Sequence, residues 1–380
     1  MIDAAELEAL RATARAFAEE HLAPHAVQWD ADKHFPVDVL RRAGSLGFAG
    51  IWLAEDVGGV GLGRAEAVRV FEELARGDTS IASYLSIHTM VASMIDTHGT
   101  AAQRERWVPD LAEARTLASY CLTEPDAGSD AASLRTTARP DGDGWVLDGV
   151  KQFISGAGTS DVYVVMARTD GPGAGGVSAF VVERATPGLS FGANEIKMGW
   201  NAQPTRQVIL DGVRVEADQL LGDRGKGFSI AMNGLNGGRL NIGAASLGGG
   251  QWALDRAVAH LSQREAFGGP LIANPGLVST LADAHVGLAA ARALLHQAAD
   301  ALDAGAPDAS VQCAMAKKAA TDAGFEAANT ALQMHGGYGY LSEYGVEKVV
   351  RDLRVHQILE GTNEIMSLIV GRHLAAGASA

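Results

Sequence analysis

The sequence predicts an α+β multidomain chain with an all-α domain at 1–118, a middle antiparallel β-barrel domain at 119–224 and a helical bundle at 225–380. Three observations carry this reading. Near the start, Leu7, Leu10, Ala14, Phe17 and Ala18 recur at three- and four-residue steps, and acidic residues cluster in the first turn, as in an amphipathic helix. Beyond Tyr120 that pattern gives way to short β-branched runs bounded by Gly, Pro or Asp. Further on, Leu281, Leu288, Leu295 and Leu302 are spaced by heptads with small alanines between them, which suits a long helix in an antiparallel bundle.

Taken in order, the first domain breaks at Pro24, at Pro36 and at Gly58-Gly59-Val60-Gly61-Leu62-Gly63. The glycine run is a turn, because Arg64 stands where the last glycine of a G-x-G-x-x-G loop belongs and no strand precedes it. Helical signals follow at 65–75, 81–98 and 101–112. Strands are expected at 145–150, 161–167, 177–182 and 207–210. Turns such as Asp141-Gly142-Asp143-Gly144, with no helix-length connection, make the sheet antiparallel and exclude a doubly wound nucleotide-binding fold. Gly222-Asp223-Arg224-Gly225-Lys226-Gly227 fails the phosphate-loop spacing and reads as a linker. The triplet Gly248-Gly249-Gly250 is a weak point in the next helix with no cause visible in the sequence. In the last helix Ile365, Leu368, Ile369 and Arg372 share one face, and an Arg on an apolar stripe calls for an anion or a bundle partner.

The chain has 380 residues, 47% of them apolar and 20% charged, as in a globular protein with more than one core. A net charge of -14 argues against nucleic acid and anionic lipid as partners. Cys121 and Cys313 stand alone, which excludes a disulfide framework and suggests buried thiols in a reducing compartment. The opening Ile2-Asp3-Ala4-Ala5-Glu6-Leu7 has no leader character, and no apolar run reaches the ~18 residues of a membrane span. The expected location is cytoplasmic.

Candidate chemistry lies in three places. Glu360 ends the mostly apolar run Val355-His356-Gln357-Ile358-Leu359 and precedes Gly361 and a helix-capping Thr362. This pattern fits a partly desolvated base at a helix-to-helix junction, or an exposed helix-end carboxylate. The segment 120–130 offers the Thr123 and Ser129 hydroxyls and open backbone around Gly128 to a polar ligand or phosphate, or is an acidic capping loop. At Gln333-Met334-His335-Gly336-Gly337 the paired glycines permit close approach of a ligand, whereas His335 has no second ligand at metal-binding spacing.

Cys121-Leu122-Thr123-Glu124 with Gly128-Ser129-Asp130 and Ser133 resembles the first signature of the acyl-CoA dehydrogenases. Gln333, Gly336-Gly337, Gly339, Glu343, Lys348 and Asp352 resemble the second, and Glu360-Gly361-Thr362 resembles that family's catalytic-base segment. The resemblance covers essentially the whole chain. Phe153-Ile154-Ser155-Gly156-Ala157-Gly158, Met198-Gly199-Trp200-Asn201, Gln203-Pro204-Thr205-Arg206 and Leu235-Asn236-Gly237-Gly238-Arg239 are similar to members acting on short branched acyl groups.

The resemblance implies a C-terminal four-helix bundle, FAD bound non-covalently between the β domain and the bundle, and a homotetramer whose subunits share cofactor sites. By position it assigns Tyr120, Leu122, Thr123, Gly128, Ser129, Phe153, Ile154 and Ser155 to the flavin, with Thr362, Asn363 and Glu364 also on FAD. Arg264, Phe267, Asn274, Gln333, Gly336 and Gly337 would reach the cofactor from a neighbouring subunit, an arginine fork suiting a pyrophosphate. Ser129, Asn236, Arg239, Gly361 and Arg372 would face the acyl-CoA. The implied reaction is α,β-dehydrogenation, with Glu360 taking the α-proton, flavin N5 the β-hydride, and an electron-transferring flavoprotein as acceptor. In this family the base's own N–H and an FAD ribose hydroxyl stabilise the enolate. Some relatives carry the base just before the residue equivalent to Arg239; Gly238 cannot serve, which favours Glu360. Ala266, Asn274-Pro275 and Ser367 depart from the family pattern without removing a catalytic group. A nucleic-acid-protective relative would have a basic tail and a lost base, in place of the small Ala/Gly/Ser tail and the Glu360 seen here.

Overall fold

The computed structural model describes residues 2–377, so the last residues of the Ala/Gly/Ser tail lie outside the described residues. Helix α1 (Ala4–Phe17) begins where the Asp3 carboxylate accepts from Ala5 and Glu6 N–H, both at 2.8 Å, while Glu6 accepts from Asp3 N–H at 2.9 Å. Helices α2 (Ala26–Asp32) and α3 (Val37–Ser45) follow the two proline breaks. The glycine run is a turn in which Gly58 takes φ +86° and Gly59 lies so close to Leu53 that a side chain would overlap its backbone. It delivers the chain to α4 (Arg64–Gly77), α5 (Thr79–His98) and α6 (Ala101–Ala112).

Strand β1 (Ala118–Cys121) opens a sheet with β2 (Thr137–Asp141), β3 (Gly144–Ser155), β4 (Val162–Arg168), β5 (Val177–Glu183), β6 (Leu189–Phe191), β7 (Thr205–Val215) and β8 (Leu220–Leu221). The order is β6-β7-β3-β2-β4-β5-β8, with β1 on β4. Pairings are antiparallel except β1 with β4 and the single step Thr137 to Arg168 between β2 and β4. The parallel β1 strand ties the sheet to the helices. His88 on α5 donates from Nε2 to Leu111 O at 2.8 Å and accepts Ala118 N–H at Nδ1 at 3.1 Å, so burial leaves it neutral, its pKa lowered to about 4.

Helix α7 (Gly227–Gln263) then runs unbroken to a hairpin of β9 (Glu265–Ala266) and β10 (Gly269–Pro270). The bundle continues with α8 (Pro275–Asp303), α9 (Ala309–Met334), α10 (Val346–His356) and α11 (Asn363–Gly377). Leu281, Leu288 and Leu295 of the heptad are buried, and both cysteines are buried free thiols. The glycine triplet does not weaken α7. A Cβ at Gly248 would overlap Glu72 O of α4, one at Gly249 would strike Thr79, and one at Gly250 would come within 2.8 Å of Gly324 Cα in α9. Gly248 and Gly250 let α7 touch α4 and α9 backbone to backbone, and Gly249 makes room for the Thr79 side chain. On α11 the shared face is not packed inward: Ile365 and Ile369 are half-buried, while Leu368 and Arg372 are exposed, so Arg372 has no place in the bundle interior. Among the described residues no helix is long and apolar enough to cross a membrane.

Replacing Gly248 by Ala gains about 1 kcal/mol of helix propensity, but the overlap with Glu72 forces a backbone shift worth about 1–3 kcal/mol. Thermal unfolding of Gly248→Ala is therefore expected to show a net loss of stability.

Candidate active site

Glu360 lies between α10 and α11 in the left-handed region, φ +53°, followed by Gly361 at φ +91°. The φ of +91° at Gly361 is one that side-chain-bearing residues rarely adopt, so glycine turns the chain here. The residue as a whole is half-buried, but both carboxylate oxygens are buried and have no hydrogen-bond partner. They rest on Gly238 of α7, where any side chain would overlap them. Of the two apolar residues before it, Ile358 is 51% exposed and Leu359 half-buried, whereas the carboxylate itself lies directly against Gly238. Burial raises the carboxyl pKa to about 7, opposed by the Lys317 and Arg239 cations.

Around this carboxylate the structure gathers residues from β1, α7 and α9. The Tyr120 hydroxyl is buried without a partner, and burial followed by the Glu360 charge holds its pKa well above the usual tyrosine range. Arg239 is buried, donates from Nη1 to Asn236 Oδ1 at 2.9 Å and from Nε to Glu360 O at 3.4 Å. The Glu360 N–H has no acceptor among the described residues. Asn363 is spent internally: its side chain takes Lys317 Nζ at 2.9 Å and donates to Asp322 Oδ1 at 2.8 Å. The Thr362 hydroxyl caps α11 by accepting from Ile365 N–H at 3.3 Å, and Glu364 is exposed.

The loop after β1 is set by a buried ion pair that the sequence did not advertise. Lys151 Nζ donates to Glu124 at 2.7 Å and to Leu122 O at 3.1 Å, and Glu124 also accepts Arg135 and Thr136 N–H at 2.6 and 2.9 Å. Burial pushes the Glu124 carboxyl up, but Lys151 and these donors hold it below its ordinary value. Glu124 thus braces the loop, while Gly128 and Ser129 remain exposed and open. Beside it, a register shift between Lys151 and Ile154 against β7 throws Phe153 outward, 65% exposed at φ +58°, while Ile154 stays buried and Ser155 half-buried. Gln152 N–H donates to Thr123 O at 2.8 Å, which fixes this bulge to the loop holding Leu122 and Thr123.

Arg264, Phe267, Asn274, Gln333, Gly336 and Gly337 form a separate exposed group. His260 stacks on His335 at 4.7 Å and brings the end of α7 beside the end of α9. Phe267, at φ +52°, is fully exposed at the hairpin tip, and Asn274 caps α8 through Gly276 N–H at 2.9 Å. From Arg239 to the end of α7 is about 36 Å of helix at 1.5 Å per residue. This group therefore sits at the C-terminal end of α7, and Glu360 against Gly238 and Arg239 about a third of the way along it.

The chain matches family models described as acyl-CoA dehydrogenase, N-terminal domain over residues 4–115, middle domain over 119–213 and C-terminal domain over 225–375. It is 50% identical over 358 residues to the mitochondrial isobutyryl-CoA dehydrogenase of Bos taurus, covering 94% of this chain and 86% of that protein. Butyryl-CoA dehydrogenase from Megasphaera elsdenii superposes with a TM-score of 0.95 at 36% identity, covering 99% of both chains. A solved structure described as an electron transferring flavoprotein of Acidaminococcus fermentans superposes with a TM-score of 0.95 at 36% identity, covering 98% of both chains.

An acid whose folded pKa is raised above its unfolded value destabilises the fold once pH exceeds the unfolded pKa, and fully so above the folded one. Glu360→Gln is therefore expected to stabilise the protein at pH 8 by up to ~3 kcal/mol and to have little effect at pH 4. Denaturant unfolding at both pH values reads this directly.

Proposed function

The chain belongs to the acyl-CoA dehydrogenase family, and from that premise we propose that it converts isobutyryl-CoA to methacrylyl-CoA in valine breakdown, with Glu360 removing the α-proton. The observation that carries this reading is the Glu360 carboxylate itself, buried, without partners and with a pKa raised to about 7. A thioester α-proton is a very weak acid, and each unit of mismatch with the base costs ~1.36 kcal/mol. A base brought near neutrality narrows that gap, and one with no hydrogen bonds to break can turn toward carbon. The Glu360 N–H, which has no acceptor among the described residues, supplies a donor for the developing enolate oxygen. As the proton moves to Glu360, its charge passes to the substrate, still within the field of Arg239 and Lys317.

FAD is the cofactor of this family, and bound FAD supplies the acceptor for the β-hydride. The chain fits it. The loop at Gly128 is open, Phe153 offers an exposed ring, and Thr123 and Ser155 stand beside it with neutral polar groups. We assign the flavin to Tyr120, Leu122, Thr123, Gly128, Ser129, Phe153, Ile154, Ser155 and Thr362. Arg264, Phe267, Gln333, Gly336 and Gly337 would hold the far end of a cofactor belonging to another subunit. Their place about 36 Å along α7 from Arg239 supports that sharing, and with it a homotetramer. In Asn363 and Asn274 both the side chain and the backbone N–H are engaged within the chain, the N–H groups with Gln357 O and Leu271 O at 3.0 Å, so neither enters the flavin set assigned above. Ser129, Asn236, Arg239, Gly361 and the exposed Arg372 are the groups we assign to the acyl-CoA.

Identity of 50% to an isobutyryl-CoA dehydrogenase against 36% to a butyryl-CoA dehydrogenase supports the branched substrate. An electron-transferring flavoprotein is the electron acceptor we propose, as the family resemblance implies. We place the activity in the cytoplasm, although the Bos taurus relative is mitochondrial.

Mixed anaerobically, isobutyryl-CoA is expected to bleach the flavin faster than butyryl-CoA or 2-methylbutyryl-CoA. One methylene is worth only ~1–3 kcal/mol of discrimination, and a faster rate with either rival would reassign the substrate. The rate should rise with pH through about 7, because the base acts as carboxylate. Glu360→Gln is expected to keep its FAD and lose ~10²–10⁴-fold in rate.

A further inference from the structure

Glu360 stands outside any helix or strand, and consecutive left-handed residues at 360 and 361 need a restraint. That restraint is one face of α9. Lys317, fully buried, donates from Nζ to Gly361 O and to Asn363 Oδ1, both at 2.9 Å. One turn on, Thr321 Oγ1 accepts from Asn363 Nδ2 at 3.0 Å. Next to it, Asp322 Oδ1 accepts from Gln357 Nε2 at 2.7 Å and Asn363 Nδ2 at 2.8 Å. Three residues of one helix therefore grip the chain on both sides of Glu360.

We propose that Lys317 is a positioning residue for the Glu360 base: its ammonium fixes the Gly361 carbonyl and the Asn363 side chain, and so aims the carboxylate. The inference rests on the reading of Glu360 as the base. A lysine buried only to stabilise a fold is paired with a carboxylate, as Lys151 is with Glu124 and Lys348 with Asp78 and Asp352. Among the described residues Lys317 has no such partner, and both groups it holds are neutral oxygens. Its charge is left to act on its surroundings. The charged and titratable groups around it are Glu360, Arg239 from α7, Asp322 on α9, Glu364 on α11 and the neutral His356 of α10; those facing Glu360 are Lys317, Arg239 and the Tyr120 hydroxyl from β1. Burial lowers the Lys317 pKa to about 8, with Glu360 opposing, so the ammonium persists at neutral pH and holds the base partly ionised. Arg239 cannot replace it, because its Nη1 is held by Asn236 and its Nε lies on the Glu360 carbonyl.

The test uses the FAD-loaded protein and Lys317→Met, which keeps the length and removes the charge. Glu360 is titrated by infrared difference spectroscopy of its carboxyl band, with Glu360→Gln as the blank, so no substrate is needed. The midpoint is expected to move up by about one pH unit or more, and anaerobic bleaching by isobutyryl-CoA at pH 7 to slow by ~10–100-fold. A folded, FAD-loaded Lys317→Met with unchanged midpoint and unchanged rate overturns the proposal. If that variant does not fold, Thr321→Val keeps the ammonium and frees one side of Asn363. It should then slow bleaching several-fold with the midpoint unmoved, and an unchanged rate would overturn the proposal. Should no acyl-CoA bleach even the unaltered protein, the dehydrogenase reading fails, while the infrared shift still reports whether Lys317 sets the state of Glu360.

Discussion

An ionisable carboxylate held inside the protein with no hydrogen-bond partner is a costly thing to keep, and the C-terminal half of the chain is arranged around it. Desolvation is what gives Glu360 its affinity for a proton, so the surroundings must exclude water without satisfying the oxygens. Gly238 does the first by leaving room for the carboxylate against the α7 backbone. Lys317 and Arg239 limit the cost by charge at a distance, each spending its hydrogen bonds on neutral oxygens. Adjacent glycines on α7 have opposite tasks: a side chain at Gly237 would meet the Arg64 guanidinium at 2.5 Å, and one at Gly238 would meet the base.

A site assembled from β1, α7, α9 and the α10–α11 junction is only as fixed as the contacts among its domains. These meet at a second buried cluster. Lys348 Nζ bonds Asp78 at 3.1 Å and Asp352 at 2.7 Å, and Asp352 also accepts Trp200 N–H at 2.6 Å. Trp200 Nε1 donates to His356 Nε2 at 3.2 Å, and His356 Nδ1 then donates to Ser246 Oγ at 2.7 Å, which makes the imidazole neutral. Burial lowers its pKa to about 3. One network thus joins the start of α5, the loop before β7, α7 and α10, only four residues before Glu360 in the chain. Removing Lys348 alone would strand two buried carboxylates, a loss of about 3–5 kcal/mol.

Helical periodicity and β-branched runs made the helix–sheet–helix order legible, and the Glu360-Gly361-Thr362 junction could be located because a capping residue follows a glycine there. What escaped the sequence depends on contacts between distant segments. Strand β2 carries Pro140 and little β-branching, and the second half of β3 includes Gln152 and the bulged Phe153, so neither has a clean alternating pattern. The glycines at 248–250 look like helix breakers until Glu72, Thr79 and Gly324 are seen opposite them. Lys151 and Lys317 are lysines in apolar runs, a visible oddity, but their partners lie 27 and 44 residues away. Ile358 misled for the converse reason, since an apolar neighbour in sequence need not be a neighbour in space.

The most direct test of the central claim isolates proton removal from everything that follows it. A 3-thia acyl-CoA keeps the α-proton but has sulfur at the β position, so no β-hydride can leave. Incubated in D₂O with the FAD-loaded protein, it should exchange its α-proton at a rate that rises with pH through about 7, and Glu360→Gln should abolish the exchange. Exchange that survives in Glu360→Gln would put the base elsewhere and contradict the account.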